Sequence, residues 1–295
     1  MRKKKPVGHT GSIIRPATAS AKTRTSPNPF PVLLTFDLDA ELLWTSRDAK
    51  NWHRPIALSQ GAYGHREGVP RILNLLARHN LHCTFFVPGM IIERNRSVVR
   101  EIFDAGHEIA HHSYSHRWVE SLTPEEERDE FTKTIHLIED LTGRKPRGWR
   151  SPAAEFSPRT LDHLLEYGFQ YSSNFFDRDS PYKHVVDGKK TNLIEFPFAW
   201  VLDDAPFFLY SIQLAGRLMM APSLVFEHWS SEFDGLYAEH SKTRNRAFVL
   251  AMHPQVIGRP SRISLLDRLI RHIKSHKNIC VARCDQVADA IGDSL

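Results

Sequence analysis

Cysteine is scarce in this chain: three in 295 residues, at Cys83, Cys280 and Cys284. An odd, sparse set cannot build the disulfide framework of a small secreted domain and suits a reducing compartment. Cys280 and Cys284 also lack the two-residue gap of common zinc-binding pairs, so packing is the role expected of them. No apolar run is long enough to cross a bilayer. None of about seven to fifteen residues follows the basic start either, so no secretory signal is expected and the predicted location is cytoplasmic. Acid is missing from residues 1–30, which carry seven Lys/Arg: Arg2, Lys3, Lys4, Lys5, Arg15, Lys22 and Arg24. That segment is rich in Ser, Thr, Pro and Lys and cannot bury enough surface to fold alone. It is expected to be a disordered basic tail ahead of one folded domain, 31–295. Subtracting its seven from the total of 39 leaves 32 basic against 34 acidic residues in the body. The pI of 9.1 therefore comes from the tail and gives no support to a nucleic-acid partner.

What is present is an alternation of short apolar runs with amphipathic segments. Val32–Phe36 reads as a buried strand, and a helix should start near Pro70 with Ile72, Leu73, Leu75 and Leu76 inward. His82–Val87 and His107–Ala110 read as strands, separated by a helix around Ser97–Phe103 that Gly106 ends. Thr123-Pro124-Glu125-Glu126 is a capping box with Pro at the first helical position, opening a helix to about Leu141. Ser157-Pro158 should open another that Gly168 closes. Strands are expected near Gln170–Ser173, Leu193–Phe196, Phe248–Met252 and Ile279–Ala282, with a helix through Leu265–Ile273. Repeated β-then-α units predict an α/β fold with a mostly parallel sheet. Polar residues collect just after four strands (Asp37 and Asp39, His112, Arg150, His253), and that placement favours a barrel, whose C-terminal rim is where chemistry is done.

Two of those segments carry a metal-like donor set. Asp37 and Asp39 are two apart on a strand and should face one side, with Glu41 a possible third. Two carboxylates together repel without a cation, so a bound metal is their natural partner. As an isolated pair they could equally cap a turn. His112 and His116 have the i, i+4 spacing that joins two imidazoles on one helical turn. Among 17 histidines that spacing is weak by itself. His111 points elsewhere and reads as a neighbour, and His107 as structural. One carboxylate with two histidines leaves a metal position open for water, as in hydrolytic zinc sites. The second aspartate is then free to act as a base, which makes hydrolysis the leading reading.

The ordered motifs carry a resemblance. Thr35-Phe36-Asp37-x-Asp39, Gly106-His107-Glu108-Ile109 leading to His112-Ser113-Tyr114-Ser115-His116, and Arg150-Ser151-Pro152 resemble the NodB-homology polysaccharide deacetylases. Asp203-Asp204-Ala205-Pro206, Glu232-Phe233-Asp234-Gly235 and Met252-His253-Pro254-Gln255 are similar to the cytoplasmic peptidoglycan-deacetylase-like branch, near allantoinase-like and cyclic-imide-hydrolysing members. The resemblance spans about 31–290 and implies a distorted (β/α)7–8 barrel. It implies Asp39, His112 and His116 as ligands of a divalent metal, zinc first, with cobalt or manganese fitting the same donors. Asp37 would be the general base, Arg150 its orienting partner, and His253 the general acid that protonates the leaving nitrogen. Asp203 or Asp204 would orient that histidine, and the sequence leaves open which. The departures are Leu38 between the aspartates, Ala40 where relatives have Gly, and Ala153 where many have Tyr. A backbone N–H at Ala153 can still help stabilise an oxyanion.

The expected activity is metal-dependent hydrolysis of a non-peptide C–N bond, with a glycan N-acetyl group as substrate. A small soluble amide or cyclic imide is the alternative substrate, and a non-catalytic binding protein on the same fold the alternative function. No membrane span is expected. The resemblance implies a homo-oligomer, as a tetramer in the related branch. Trp44, Trp52, Tyr63, Trp149, Trp200 and Trp229 could line a pocket or fill the core. Arg259-Pro260-Ser261-Arg262 could meet an anionic group, but a solvated helix start explains it better.

Overall fold

The computed structural model describes residues 28–210, 219–243 and 245–295. The basic tail therefore lies, up to residue 27, outside the described residues. Among the described residues nine strands form one sheet: β1 (Phe30–Asp37), β2 (Thr84–Val87), β3 (Glu108–His111), β4 (Gly148–Trp149), β5 (Tyr171–Ser172), β6 (Tyr182–Val186), β7 (Lys189–Glu195), β8 (Phe248–Met252) and β9 (Ile279–Val281). Their order is β6-β7-β5-β4-β3-β2-β1-β8, with β9 paired to the start of β1. Every pairing is parallel except the β6–β7 hairpin. Beyond β8, Asp203 makes a parallel bridge to Ala251. The sheet is the wall of a distorted (β/α) barrel.

Strand parity sorts the apolar side chains into two cores, as a period of two requires. Val32, Leu34, Phe36, Phe85, Val87, Ile109, Phe248, Leu250 and Met252 join the cluster under the outer helices. The alternate residues Leu33, Phe86, Ala110, Tyr171, Val249 and Ala251 form the inner cluster. The outer helices include α1 (Val69–His79), α2 (Arg96–Asp104), α3 (Pro124–Thr142), α4 (Thr160–Glu166), α5 (Pro222–Thr243) and α6 (Pro260–Lys274). A last helix, α7 (Cys284–Ile291), gives Cys284, Val287 and Ala288 to the inner cluster and closes the barrel floor. Its Cys284 N–H donates to Thr84 Oγ1 at 2.8 Å and its Asp285 N–H to Glu108 Oε2 at 3.1 Å.

Most expected elements are present within a few residues. The capping box on α3 forms both bonds, Glu126 N–H to Thr123 Oγ1 at 3.2 Å and Thr123 N–H to Glu126 Oε2 at 2.9 Å. Gly168 ends the α4 region at φ +73°, a left-handed conformation that costs glycine little. That helix begins at Thr160 rather than at Ser157, whose hydroxyl is turned onto buried Glu127 of α3. Strand β7 overlaps the strand expected near Leu193–Phe196, whereas its hairpin partner β6, the 22-residue α5 and α7 are among the elements with no counterpart in the sequence reading. Helix α5 buries only Val225, Trp229, Phe233 and His240, a stripe too narrow to stand out as amphipathic.

Candidate active site

The register aligns the strand ends. Phe36 pairs with Met252, and His111 with Trp149, so Asp37 and His253 leave the sheet at one level and His112 and Arg150 at another. Asp37 is the last residue of β1; Asp39 lies beyond it, in a turn that Ala40 takes at φ +47°. Glu41 does not join them. It heads a short helical turn and bonds His65 at 3.1 Å, because the strand has ended and the alternation with it.

His112 and His116 are brought together, but not by a helical turn. They flank a loop after β3 in which Ser113 and His116 adopt φ +60° and +61°. Buried Glu130 of α3 holds that loop, accepting the N–H groups of Tyr114 and Ser115 at 2.6 and 2.7 Å and both serine hydroxyls, Ser113 and Ser115. His111 assists, taking the Ser113 N–H on Nδ1 at 3.0 Å. His107, as expected, is structural: its Nδ1 accepts the Cys83 N–H at 3.0 Å.

Asp39 is fully buried, and neither carboxylate oxygen has a hydrogen-bond partner. His112 Nε2 and His116 Nε2 stand 3.3 and 3.4 Å from its Oδ1. Two ligands bound at about 2.0–2.1 Å around a tetrahedral ion lie roughly 3.3 Å apart. The other imidazole nitrogens are occupied. His112 Nδ1 donates to the Arg150 carbonyl at 2.7 Å, and His116 Nδ1 meets Ser46 Oγ at 3.2 Å. Since Ser46 gives its own proton to the Leu42 carbonyl, its oxygen accepts from His116. Both rings thus turn a bare Nε2 toward the carboxylate, the outer bonding of metal-ligating histidines. A buried carboxylate without a donor, facing two unprotonated nitrogens, fits a divalent cation.

Two dyads flank this triad. Arg150 Nη1 donates to Asp37 Oδ1 and to Thr35 Oγ1, each at 2.8 Å. Its other nitrogens reach Ser173 O and Oγ, and its plane stacks between Phe86 and Phe198 at 4.3 and 4.9 Å. Across the site, Asp204 binds His253 twice, Oδ1 to Nδ1 at 2.6 Å and Oδ2 to the backbone N–H at 3.0 Å. Asp203 instead accepts the Ala205 N–H at 2.7 Å and lies 3.7 Å from His253 Nδ1. Geometry thus resolves the open alternative: Asp204 is the acid bonded to the histidine. Burial, with Asp204 adding to it, pushes Asp203 up to about 7 although His253 pulls the other way. Burial would lower His253, but Asp203 and Asp204 hold it well above the ordinary histidine range. His253 Nε2 points inward, 3.6 Å from Asp39 Oδ2.

Asp37, Asp39, His112, His116, Arg150 and His253 line an open cleft of about 560 Å³, solvent included. Its lip carries Trp118, Phe198, Trp200 and Ala153, the last at φ +57°. Of the six aromatics singled out in the sequence, Trp200 alone is in this lining; Trp149 and Trp229 are core. Neither Arg259 nor Arg262 is in this lining: Arg259, at the start of α6, stacks on Tyr63 at 3.6 Å, and Arg262 bonds the Val256 carbonyl at 2.8 Å. Ser46, Glu130, Ser173 and Trp118 had no signal in the sequence, because each reaches the site from a separate element.

Comparison with known proteins agrees with the geometry. The family model for polysaccharide deacetylase matches residues 25–172. A peptidoglycan deacetylase of Helicobacter pylori is 30% identical over 276 residues, covering 86% of this chain and 93% of its own. A solved structure from Mycobacterium smegmatis, provisionally described as a polysaccharide deacetylase, has a TM-score of 0.85 at 33% identity, over 94% of this chain and 95% of its own. The allantoinase PuuE has the same fold, with a TM-score of 0.76 at 23% identity over 93% and 95% of the two chains. A match over half the sequence, and a relative aligned over most of both chains, place this chain in the polysaccharide deacetylase family, metal-dependent enzymes that hydrolyse amide C–N bonds.

Proposed function

We propose that the protein removes the N-acetyl group from an amino sugar of a peptidoglycan-type glycan, using Asp37 as base and His253 as acid. The observation that carries this is the donorless Asp39 carboxylate between two bare imidazole nitrogens, set between the Asp37–Arg150 and His253–Asp204 dyads. Held by Asp39, His112 and His116, a divalent ion would lower the pKa of bound water from about 15.7 towards 7 and polarise the amide oxygen. Zinc suits two imidazoles and a carboxylate, as do cobalt and manganese.

Arg150 occupies Asp37 Oδ1, so Oδ2 takes the proton of the attacking water. His253, protonated by virtue of its two carboxylate neighbours, donates from Nε2 to the leaving nitrogen, which would otherwise be a very poor leaving group. Asp204 fixes the ring so that Nε2 is the proton-bearing end facing the cleft. The Ala153 N–H at the cleft lip supplies a donor for the developing oxyanion. Trp118 and Trp200 offer exposed faces on which a sugar ring can stack.

The Helicobacter pylori relative supports the glycan reading, and three unpaired cysteines support action in the reducing cytoplasm, on soluble glycan fragments or precursors. The implied homo-oligomer would bury exposed Tyr210, Met219, Met220 and Leu224. A small cyclic imide is the competing substrate. Incubation with N-acetylated muropeptides and chito-oligosaccharides, and separately with succinimide-type rings and allantoin, separates the two. Acetate release is expected from the first set; ring opening without acetate would replace the glycan reading. Asp37→Asn should lower kcat by about 10²–10⁴-fold while keeping the metal; loss of metal in that variant would exchange the roles of the two aspartates.

A further inference from the structure

A second cluster of the same donor types lies away from the cleft. Asp234 on α5, His272 on α6 and His276 in the turn after α6 bring one carboxylate and two imidazoles within 4.8 Å of one another. We infer that these three residues form a second, surface site for a divalent transition metal, which ties α5 to α6. The inference does not rest on the catalytic reading.

The geometry that carries it begins at His276. Its Nδ1 lies 3.0 Å from the His272 carbonyl, and a carbonyl oxygen only accepts, so Nδ1 holds the proton. Nε2 is then the nitrogen that faces Asp234 Oδ1, at 3.4 Å. In the neutral ring that puts a lone pair against a carboxylate oxygen, an arrangement a cation relieves. The distance matches the roughly 3.3 Å between two ligands of one tetrahedral ion. His272 Nε2 meets the same oxygen at 2.7 Å, a hydrogen bond whose proton the metal would replace. Movement there is cheap, because the Asp234 side chain is 48% exposed.

The surroundings suit a bound ion. Phe233 packs edge-on against both imidazoles, with centroids at 5.8 and 5.0 Å, and Tyr237 against His276 at 4.9 Å. This aromatic wall fixes the rings on the inner side and leaves the outer side to water, which would complete the coordination. The Tyr237 hydroxyl donates to the Lys277 carbonyl at 2.9 Å and so anchors the His276 turn to α5. Two imidazoles with a single carboxylate select zinc, nickel, cobalt or copper over magnesium or calcium. Binding to the folded chain alone would stabilise it by mass action.

The test is zinc stoichiometry on the full chain, read by titration calorimetry and by metal analysis after gel filtration. Wild type should bind two equivalents and His272→Ala/His276→Ala one, with glycan hydrolysis unchanged in the variant. Asp234→Asn, which preserves shape and packing, should also lose the second equivalent. Asp39→Asn should lose the catalytic equivalent and keep the second, which separates this proposal from the catalytic reading. Zinc beyond the first equivalent should raise the Tm of wild type but not of the Asp234→Asn variant. Zinc stoichiometry in wild type that both surface variants retain in full, whether one equivalent or two, would show that the cluster is only a hydrogen-bonded ion pair network and overturn the proposal.

Discussion

Among the described residues stand two sets of one aspartate and two histidines four apart, and their contrast separates the proposed catalytic donor set from the proposed surface one. At Asp39, His112 and His116 every residue is buried, and the carboxylate has no hydrogen-bond donor. At Asp234, His272 and His276 the carboxylate is half exposed and already bonded to one ring. Water can solvate the second set when empty, whereas the first pays the full desolvation of a carboxylate. The first set also sits beside Asp37 and His253, the proposed base and acid; around the second stand Phe226, Phe233 and Tyr237. Similar ligands therefore predict different consequences on removal.

The largest difference should come from the two aspartates. Asp39→Asn is expected to lose the catalytic metal and to lower turnover by more than about 10³-fold, while Asp234→Asn leaves turnover as it was. Equal activity losses in the two variants would erase the distinction between the sets.

A smaller effect belongs to Asp204. His253 sits above its ordinary range because Asp203 and Asp204 oppose the effect of burial. His253, the proposed general acid, is therefore protonated at low and neutral pH, and that proton is lost as pH rises through the raised value. Its ion pair contributes stability with the same sign: fully present below the unfolded pKa of about 6.5 and lost on the alkaline side. Asp204→Asn removes one carboxylate, so the alkaline fall of kcat/KM should move to lower pH, with turnover down about 10²–10⁴-fold. An alkaline limb that stays in place would assign it to another group.

The smallest effect should come from outside the ligand set. Ser46→Ala removes the acceptor that orients His116, and metal retention should weaken about 10–100-fold, read by competition with a chelator. With metal in excess, kcat should be nearly that of wild type. Unchanged retention would mean that the loop held by Glu130 orients His116 without help.

The donors of the catalytic set were legible because each follows a strand, and strands announce themselves by short apolar runs. Phe248–Met252 is found as read, and the Thr123 capping box forms both of its bonds. The i, i+4 histidines were legible as a pair for the wrong reason, since a loop with two left-handed residues joins them rather than a helix. Helix α5, with its thin apolar stripe, and strand β6 passed unnoticed. So did the partners of the site: Ser46 is 70 residues from His116, and Ser173 is 23 from Arg150.

By itself, the sequence determined which chemical groups exist and in what order strands deliver them to one rim, because strand periodicity and helix caps are local. It also carried the motif order that marks the family. Only the tertiary structure decided that Asp204 rather than Asp203 bonds His253, that Glu41 turns away, and that Asp39 stands without a donor. Neighbouring acids are equivalent in sequence; burial and a few ångströms of direction, set by distant elements packing together, make them differ.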